Sequence, residues 1–251
     1  MENYTIFEEG RLPSLGKIYD GKNVNPDFKI RSMTTAEEMR RLSHSNRPMK
    51  VICDIIDTCI INNQFDGLSA YDMCLGDYQY LLHKLRVATY GSMYKMSTYC
   101  TLCGSKEIQA IDIDSLEQVI YTPEFDKLCV LKLPLSGDEV TLRYQTPRMI
   151  DDVELRKKEL QNKPSAIDQS LLFNLSAIVS RVNNEHLDSI QLENYLRKLH
   201  MRDTNAILKR ADKIVNSIGT QSEFTFKCGV CGNEYRSPFL ITPEFYGPSE
   251  D

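Results

Sequence analysis

Two short cysteine pairs limit most tightly how this chain can fold. The first reads Tyr99-Cys100-Thr-Leu-Cys103-Gly104, the second Lys227-Cys228-Gly-Val-Cys231-Gly232. In each, two residues separate the cysteines and a glycine follows. That spacing turns the backbone so that both thiolates face one point, and the glycine relieves crowding where amides approach sulfur. Two such knuckles complete a tetrahedral S4 shell, which suits Zn2+. A predicted strand leads into each, as in a zinc ribbon. An iron–sulfur cluster takes the same ligands, and a pair of redox dithiols is a further alternative. A thioredoxin-like pair, however, ordinarily opens a helix after a strand, and neither pair does so here. Four protein ligands leave no coordination position for water or substrate, so the expected role of Cys100, Cys103, Cys228 and Cys231 is structural. Cys103 and Cys228 stand 125 positions apart. Closing that loop through a metal predicts one interwoven unit whose folding is coupled to metal binding.

The chain has 251 residues, 41% hydrophobic and 26% charged, enough to bury a substantial core. No run of 18 apolar residues predicts a membrane helix. The first ten residues lack the basic head and apolar body of a signal peptide, so a reducing compartment is expected. There, eight cysteines argue against a disulfide framework. Cys53, Cys59, Cys74 and Cys129 read as buried small hydrophobes.

Along the chain, five segments are expected. Residues 1–33 read as an extended N-terminal arm with turns at Pro13–Gly16 and Tyr19–Lys22 and a short strand at Phe28–Ile30. Residues 34–93 read as helical. A hydroxyl cap at Thr34 or Thr35 opens the first helix, and Pro48 opens a second that runs through Ile61. A third helix takes Asp77 as its cap, Leu81, Leu82, Leu85 and Ala88 as its stripe, and Gly91 as its end. Residues 94–146 hold the first knuckle and a small antiparallel β-element, with a hairpin turn at Ser136-Gly137-Asp138. Residues 147–219 read as helical again. Asp151 or Asp152, Asp188 and Asp203 are the expected caps, Pro164-Ser165 starts a helix with Ile167, Leu171, Leu175 and Ile178 inward, and Gly219 is the last C-cap. Residues 220–251 hold the second knuckle and an aromatic, proline-broken tail. The fold class is therefore α+β: a mainly helical body with a small antiparallel β-element and a discontinuous four-cysteine zinc-ribbon-like module.

Catalytic chemistry finds little support. The four histidines, His44, His83, His186 and His200, form no metal or nucleophile motif, and no glycine-rich phosphate loop is present. A zinc ribbon often contacts nucleic acid, but the net charge of −5 offers no long-range attraction to phosphates, and the basic residues near 197–202 spread around a helix. Such a nucleic-acid or regulatory module is the alternative reading. Phe239, Phe245 and Tyr246 are aromatic anchors near the chain's end. Self-packing is the plain reading of them and a partner interface the sharper one.

Taken in order, Leu12-Pro-Ser-Leu-Gly-Lys-Ile-Tyr19, Ile30-Arg-Ser-Met-Thr-Thr-Ala-Glu-Glu38, Gly76-Asp-Tyr-Gln-Tyr-Leu-Leu82, Leu85-Arg-Val-Ala-Thr-Tyr-Gly91 and the two knuckles resemble the T4-like family of baseplate hub proteins from contractile-tailed bacteriophages. Neither knuckle contains a proline, which leaves metal ligation unaffected. The resemblance implies a non-enzymatic structural part of the virion tail baseplate, made in the host cytoplasm and joined to hub and wedge proteins in a large hetero-oligomeric assembly. It makes Pro13, Gly16, Tyr19, Arg31, Met33, Thr34 and Glu38 candidate interface or arm-shaping residues. It also implies that Asp77, Arg86, Tyr90 and Gly91 position the helix that enters the metal module.

Overall fold

Alternating and helical hydrophobic patterns settle into short antiparallel strands and the helices that cover them. The computed structural model describes residues 6–19, 21–22, 24–61, 65–161, 167–220, 223–239 and 245. In chain order the elements are β1 (Phe7–Arg11), β2 (Asp27–Arg31), α1 (Thr35–Arg41), α2 (Pro48–Cys59), β3 (Ile60–Ile61), α3 (Leu75–Tyr90), β4 (Met93–Tyr99), β5 (Lys106–Asp112), β6 (Gln118–Val119), β7 (Val130–Lys132), β8 (Glu139–Leu142), α4 (Pro147–Gln161), α5 (Ser170–Ile178), β9 (Val179–Val182), α6 (Ser189–Lys198), α7 (Met201–Val215), β10 (Gly219–Thr220), β11 (Glu223–Lys227) and β12 (Glu234–Pro238).

The first core lies between the sheet β1–β2–β3 and helices α2 and α3. Phe28 and Ile30 of β2 point inward with Leu12, against Ile55 and Ile56 of α2 and Leu81, Leu82 and Leu85 of α3. Each of these large side chains contributes about 1.5–3 kcal/mol by leaving water. The expected extended arm is thus corrected. β1 and β2 pair antiparallel, Phe7 opposite Arg31 and Arg11 opposite Asp27, because Leu12, Phe28 and Ile30 supply an apolar face that α3 can cover.

The second core lies between the sheet β7–β8–β9 and helices α5, α6 and α7. Val140 and Leu142 meet Val179, Leu196, Ile207 and Ile214 there. The hairpin at 136–138 forms as the spacing predicts, Val130 opposite Thr141 and Lys132 opposite Glu139. The third strand, however, comes from Val179–Val182, inside the segment expected to be helical, where two β-branched valines continue α5 as a strand. The inward stripe of α5 also differs. Leu172, Phe173, Leu175 and Ile178 are buried, whereas Ile167 precedes the helix and is exposed with Leu171. Residues 164 and 165, expected to start this helix, lie outside the described residues.

Gly76 of α3 and Gly219 of β10 join the two bodies. A Cβ on Gly76 would sit 2.2 Å from the Ile218 carbonyl oxygen, so only hydrogen permits this crossing. Gly219 is therefore a packing glycine in a strand. The C-cap of α7 is Asn216, because α7 ends earlier than its periodicity suggested.

Three aspartates expected to cap their own helices tie down remote backbone instead. Asp77 accepts the Ser14 N–H at 2.9 Å and the Tyr19 hydroxyl at 2.7 Å. Asp151 accepts the N–H groups of Met49 and Lys50 at the start of α2, and Asp203 those of Leu135 and Ser136 in the β7–β8 turn. All three are buried, and each satisfies amides that would otherwise lack partners. Asp188 does cap its own helix, accepting the Gln191 N–H at 2.8 Å.

Candidate metal centre

Each knuckle is the tip of a two-stranded hairpin. β4 and β5 pair from Met93 opposite Asp112 to Tyr99 opposite Lys106, which leaves Cys100–Ser105 as the turn. β11 and β12 pair from Glu223 opposite Pro238 to Lys227 opposite Glu234, which leaves Cys228–Asn233. The turns are alike bond for bond. The N–H of Cys100 donates to the Ser105 carbonyl at 3.0 Å and that of Gly104 to the Cys100 carbonyl at 2.9 Å. The N–H of Cys228 donates to Asn233 and that of Gly232 to Cys228, both at 2.9 Å. Gly104 and Gly232 share a φ of 72°, the left-handed region that favours glycine.

The two tips converge. All four Sγ atoms lie within 4.8 Å of one another. Cys100 and Cys231 are 3.7 Å apart, as are Cys103 and Cys228. A tetrahedron with metal–sulfur bonds of about 2.3 Å has edges of about 3.8 Å, so this donor set fits one Zn2+-sized ion. One cysteine of each pair, Cys100 and Cys228, is buried on Tyr235 and Phe226, and the other faces solvent.

The surroundings hold the sulfurs in place. The Ser105 hydroxyl lies 3.2 Å from both Cys103 and Cys228. Thr98 and Tyr235 join the two hairpins through their hydroxyls at 2.6 Å, and Glu107 accepts the Gly229 N–H across the same seam at 2.8 Å. Neither Ser105 nor Glu107 was singled out by sequence, although Glu107 is a polar residue on the inward period of a strand, which is a readable signal. Ser105 holds the Cys103 thiol down at about 6 by hydrogen bonding, and the Cys103 amide lowers Cys100. At Cys231 the Asn233 amide acts in the same direction, yet desolvation and the neighbouring sulfurs prevail and push the thiol up to about 12. A cation at the centre resolves that conflict, since a coordinated thiol gives up its proton.

Helix α3 carries the module. Arg86 donates to the carbonyls of Gly91 and Met93, the start of β4, and its guanidinium lies over the rings of Tyr94 and Phe245. Gly91 ends α3 at a φ of 87°, and Tyr90 donates to Glu38 at 3.3 Å.

The remaining candidate contact residues that are described make contacts within the chain. Pro13 is buried and its carbonyl accepts the Tyr121 N–H. At Gly16, φ is 69° and a Cβ would meet the Val24 carbonyl oxygen at 2.4 Å. Tyr19 joins Asp77 and accepts the Cys74 N–H, and burial raises its hydroxyl well above the ordinary value. Arg31 pairs with Glu37 at 2.7 Å, the Met33 N–H donates to Thr89, and Thr34 caps α1 with Glu37. Glu38 pairs with Arg41. Phe239 and Phe245 are buried against each other, Tyr94 and His83. Pro13, Phe239 and Phe245 are buried within the chain. Tyr246 lies outside the described residues.

Two hairpins that both pack on the first core and are clasped at their tips by a four-sulfur seam, with the side chains around that seam devoted to holding it, belong to an α+β structural protein with a discontinuous zinc-ribbon-like module. The model of a family described as T4 bacteriophage base plate protein matches residues 3–238, so the chain belongs to that family. It is a structural baseplate component rather than an enzyme. Comparisons with curated proteins and with solved structures found no match.

Proposed function

We propose that this chain is a clasped connector of the baseplate hub, held in shape by one structural Zn2+ on Cys100, Cys103, Cys228 and Cys231, and joined to hub and wedge proteins in the tail of the virion. The observation that carries the reading is the convergence of two knuckles, 125 positions apart, on one point within a family match spanning nearly the whole chain. A closed S4 site does no chemistry on a substrate. It fixes the relative position of elements that its two hairpins join. Contacts with other baseplate proteins, the choice between hub subunit and assembly factor, and residence in the host cytoplasm before assembly belong to this proposal. No described helix is long and apolar enough to cross a membrane. The nucleic-acid alternative gains no support from β11 and β12, where Glu223 and Glu234 offset Lys227 and Arg236.

Affinity purification of the tagged full chain from infected cells tests the proposal. Hub or wedge proteins are expected to co-purify through a nuclease step and a high-salt wash. Recovery of the chain with nucleic acid alone, released by salt, would replace the connector with the binding module.

A further inference from the structure

The four sulfurs form two facing pairs, and each pair runs between hairpins. Cys103 of the first knuckle lies 3.7 Å from Cys228 of the second, and Cys231 of the second lies 3.7 Å from Cys100 of the first. In each pair one cysteine is exposed and the other buried: Cys103 and Cys231 face solvent, Cys228 and Cys100 do not. A dissolved oxidant therefore reaches one sulfur of each pair, and the sulfur standing opposite belongs to the other hairpin. The seam is also held by contacts that need no metal. The Thr98 and Tyr235 hydroxyls meet at 2.6 Å, and Glu107 accepts the Gly229 N–H at 2.8 Å. These keep the hairpins side by side, so each pair has only to close from 3.7 Å to the roughly 2.0 Å of a disulfide bond.

Resting on the reading of these cysteines as a structural zinc clasp, we infer that the clasp has a second closed state, in which oxidation by hydrogen peroxide joins the hairpins through two disulfides, Cys103–Cys228 and Cys100–Cys231. The exposed thiolate of a pair attacks one peroxide oxygen, the O–O bond breaks, and the other oxygen leaves as hydroxide. The buried thiolate opposite then attacks the sulfenic sulfur, the S–S bond forms, and a second hydroxide leaves. Each pair gives up two electrons to one peroxide molecule, and once both pairs have reacted no thiolate is left to ligate the ion. The Cys103–Cys228 bond closes the same 125 positions that the metal closes, so the clasp is kept where thiols do not persist. A structural part made inside a cell and carried outside it in a particle meets both conditions.

The zinc-loaded full chain, freed of reductant and treated with hydrogen peroxide, tests this. Trypsin cuts after Lys95, Lys106, Lys227 and Arg236, so each knuckle falls on its own peptide. With residual thiols alkylated and no reductant added, mass mapping is expected to find the two knuckle peptides joined, about tenfold over peptides closed within one knuckle. Zinc release should rise in step with the joined product. Cys100→Ser with Cys231→Ser keeps a facing pair, and its disulfide should form about tenfold faster than in Cys100→Ser with Cys228→Ser, which keeps the two exposed cysteines. The oxidised chain should unfold near the midpoint of the zinc-loaded one and above that of the reduced, chelator-stripped one. Disulfides closed within single knuckles, zinc retained with no S–S bond, equal rates in the two variants, or an oxidised chain no more stable than the stripped one would overturn the second closed state and leave the zinc reading standing. Absence of zinc before oxidation would overturn the zinc reading itself, and this inference with it.

Discussion

Asp151 of α4 caps α2: its carboxylate accepts the Lys50 N–H at 3.0 Å across 101 positions of sequence. It also accepts from Met49 and from the Tyr71 hydroxyl, and it is fully buried. The neighbouring Asp152 makes only a half-exposed ion pair with Arg47. Asp151→Ala should therefore cost about 2–3 kcal/mol, since it orphans buried donors at a helix start. Asp152→Ala should cost less than about 1 kcal/mol. Urea unfolding of the two variants, side by side, checks the ordering.

Gly76→Ala reverses a helix rule. In a solvent-exposed helix interior the change gains about 1 kcal/mol. Here the added methyl meets the Ile218 carbonyl, and the backbone must move. A net loss of about 2 kcal/mol or more is expected in the same assay, with the apparent midpoint lowered.

His83 sets a pH dependence. Burial lowers it from 6.5 to about 4, and its ring packs between Phe239 and Phe245. The unfolded chain binds this proton first, so stability present above pH 6.5 is lost as pH falls toward 4. Replacing it, as in His83→Gln, should flatten that window by about 2 kcal/mol, read as unfolding midpoint against pH.

Glu37 governs a lower window. The hydrogen bond from Arg31 holds its carboxyl down at about 2 from 4.5, so its contribution is present above 4.5 and is lost as pH falls toward 2. Glu37→Gln should remove about 1–2 kcal/mol at neutral pH and show no further loss across that range.

Local chemistry made the knuckles legible, since spacing and glycine suffice to bring two sulfurs to one point. It also gave Leu81, Leu82 and Leu85 as a stripe, Gly91 as a stop and Asp188 as a cap, because each depends on neighbours within a turn. What it could not give was partnership at a distance. Asp77 and Asp203 sit in the first turns of their helices and Asp151 just past that of α4, and nothing nearby tells that their acceptors serve remote amides. The strand at Val179–Val182 was hidden for the same reason: it exists because β8 offers an edge. Gly16 was legible as the end of a turn and, by resemblance, as an interface or arm-shaping residue, and its close approach to Val24 gives the physical reason for a glycine there.

Metal analysis of the purified full chain, combined with thiol counting, tests the central claim most directly. The account predicts about one zinc per chain and no rapid labelling of Cys103 or Cys231, although both face solvent. A strong chelator should expose all four cluster thiols and lower the unfolding midpoint, and Cys103→Ser with Cys228→Ser should abolish zinc binding. A chain that purifies folded without metal, with Cys103 and Cys231 freely reactive and its stability indifferent to chelator, would contradict it.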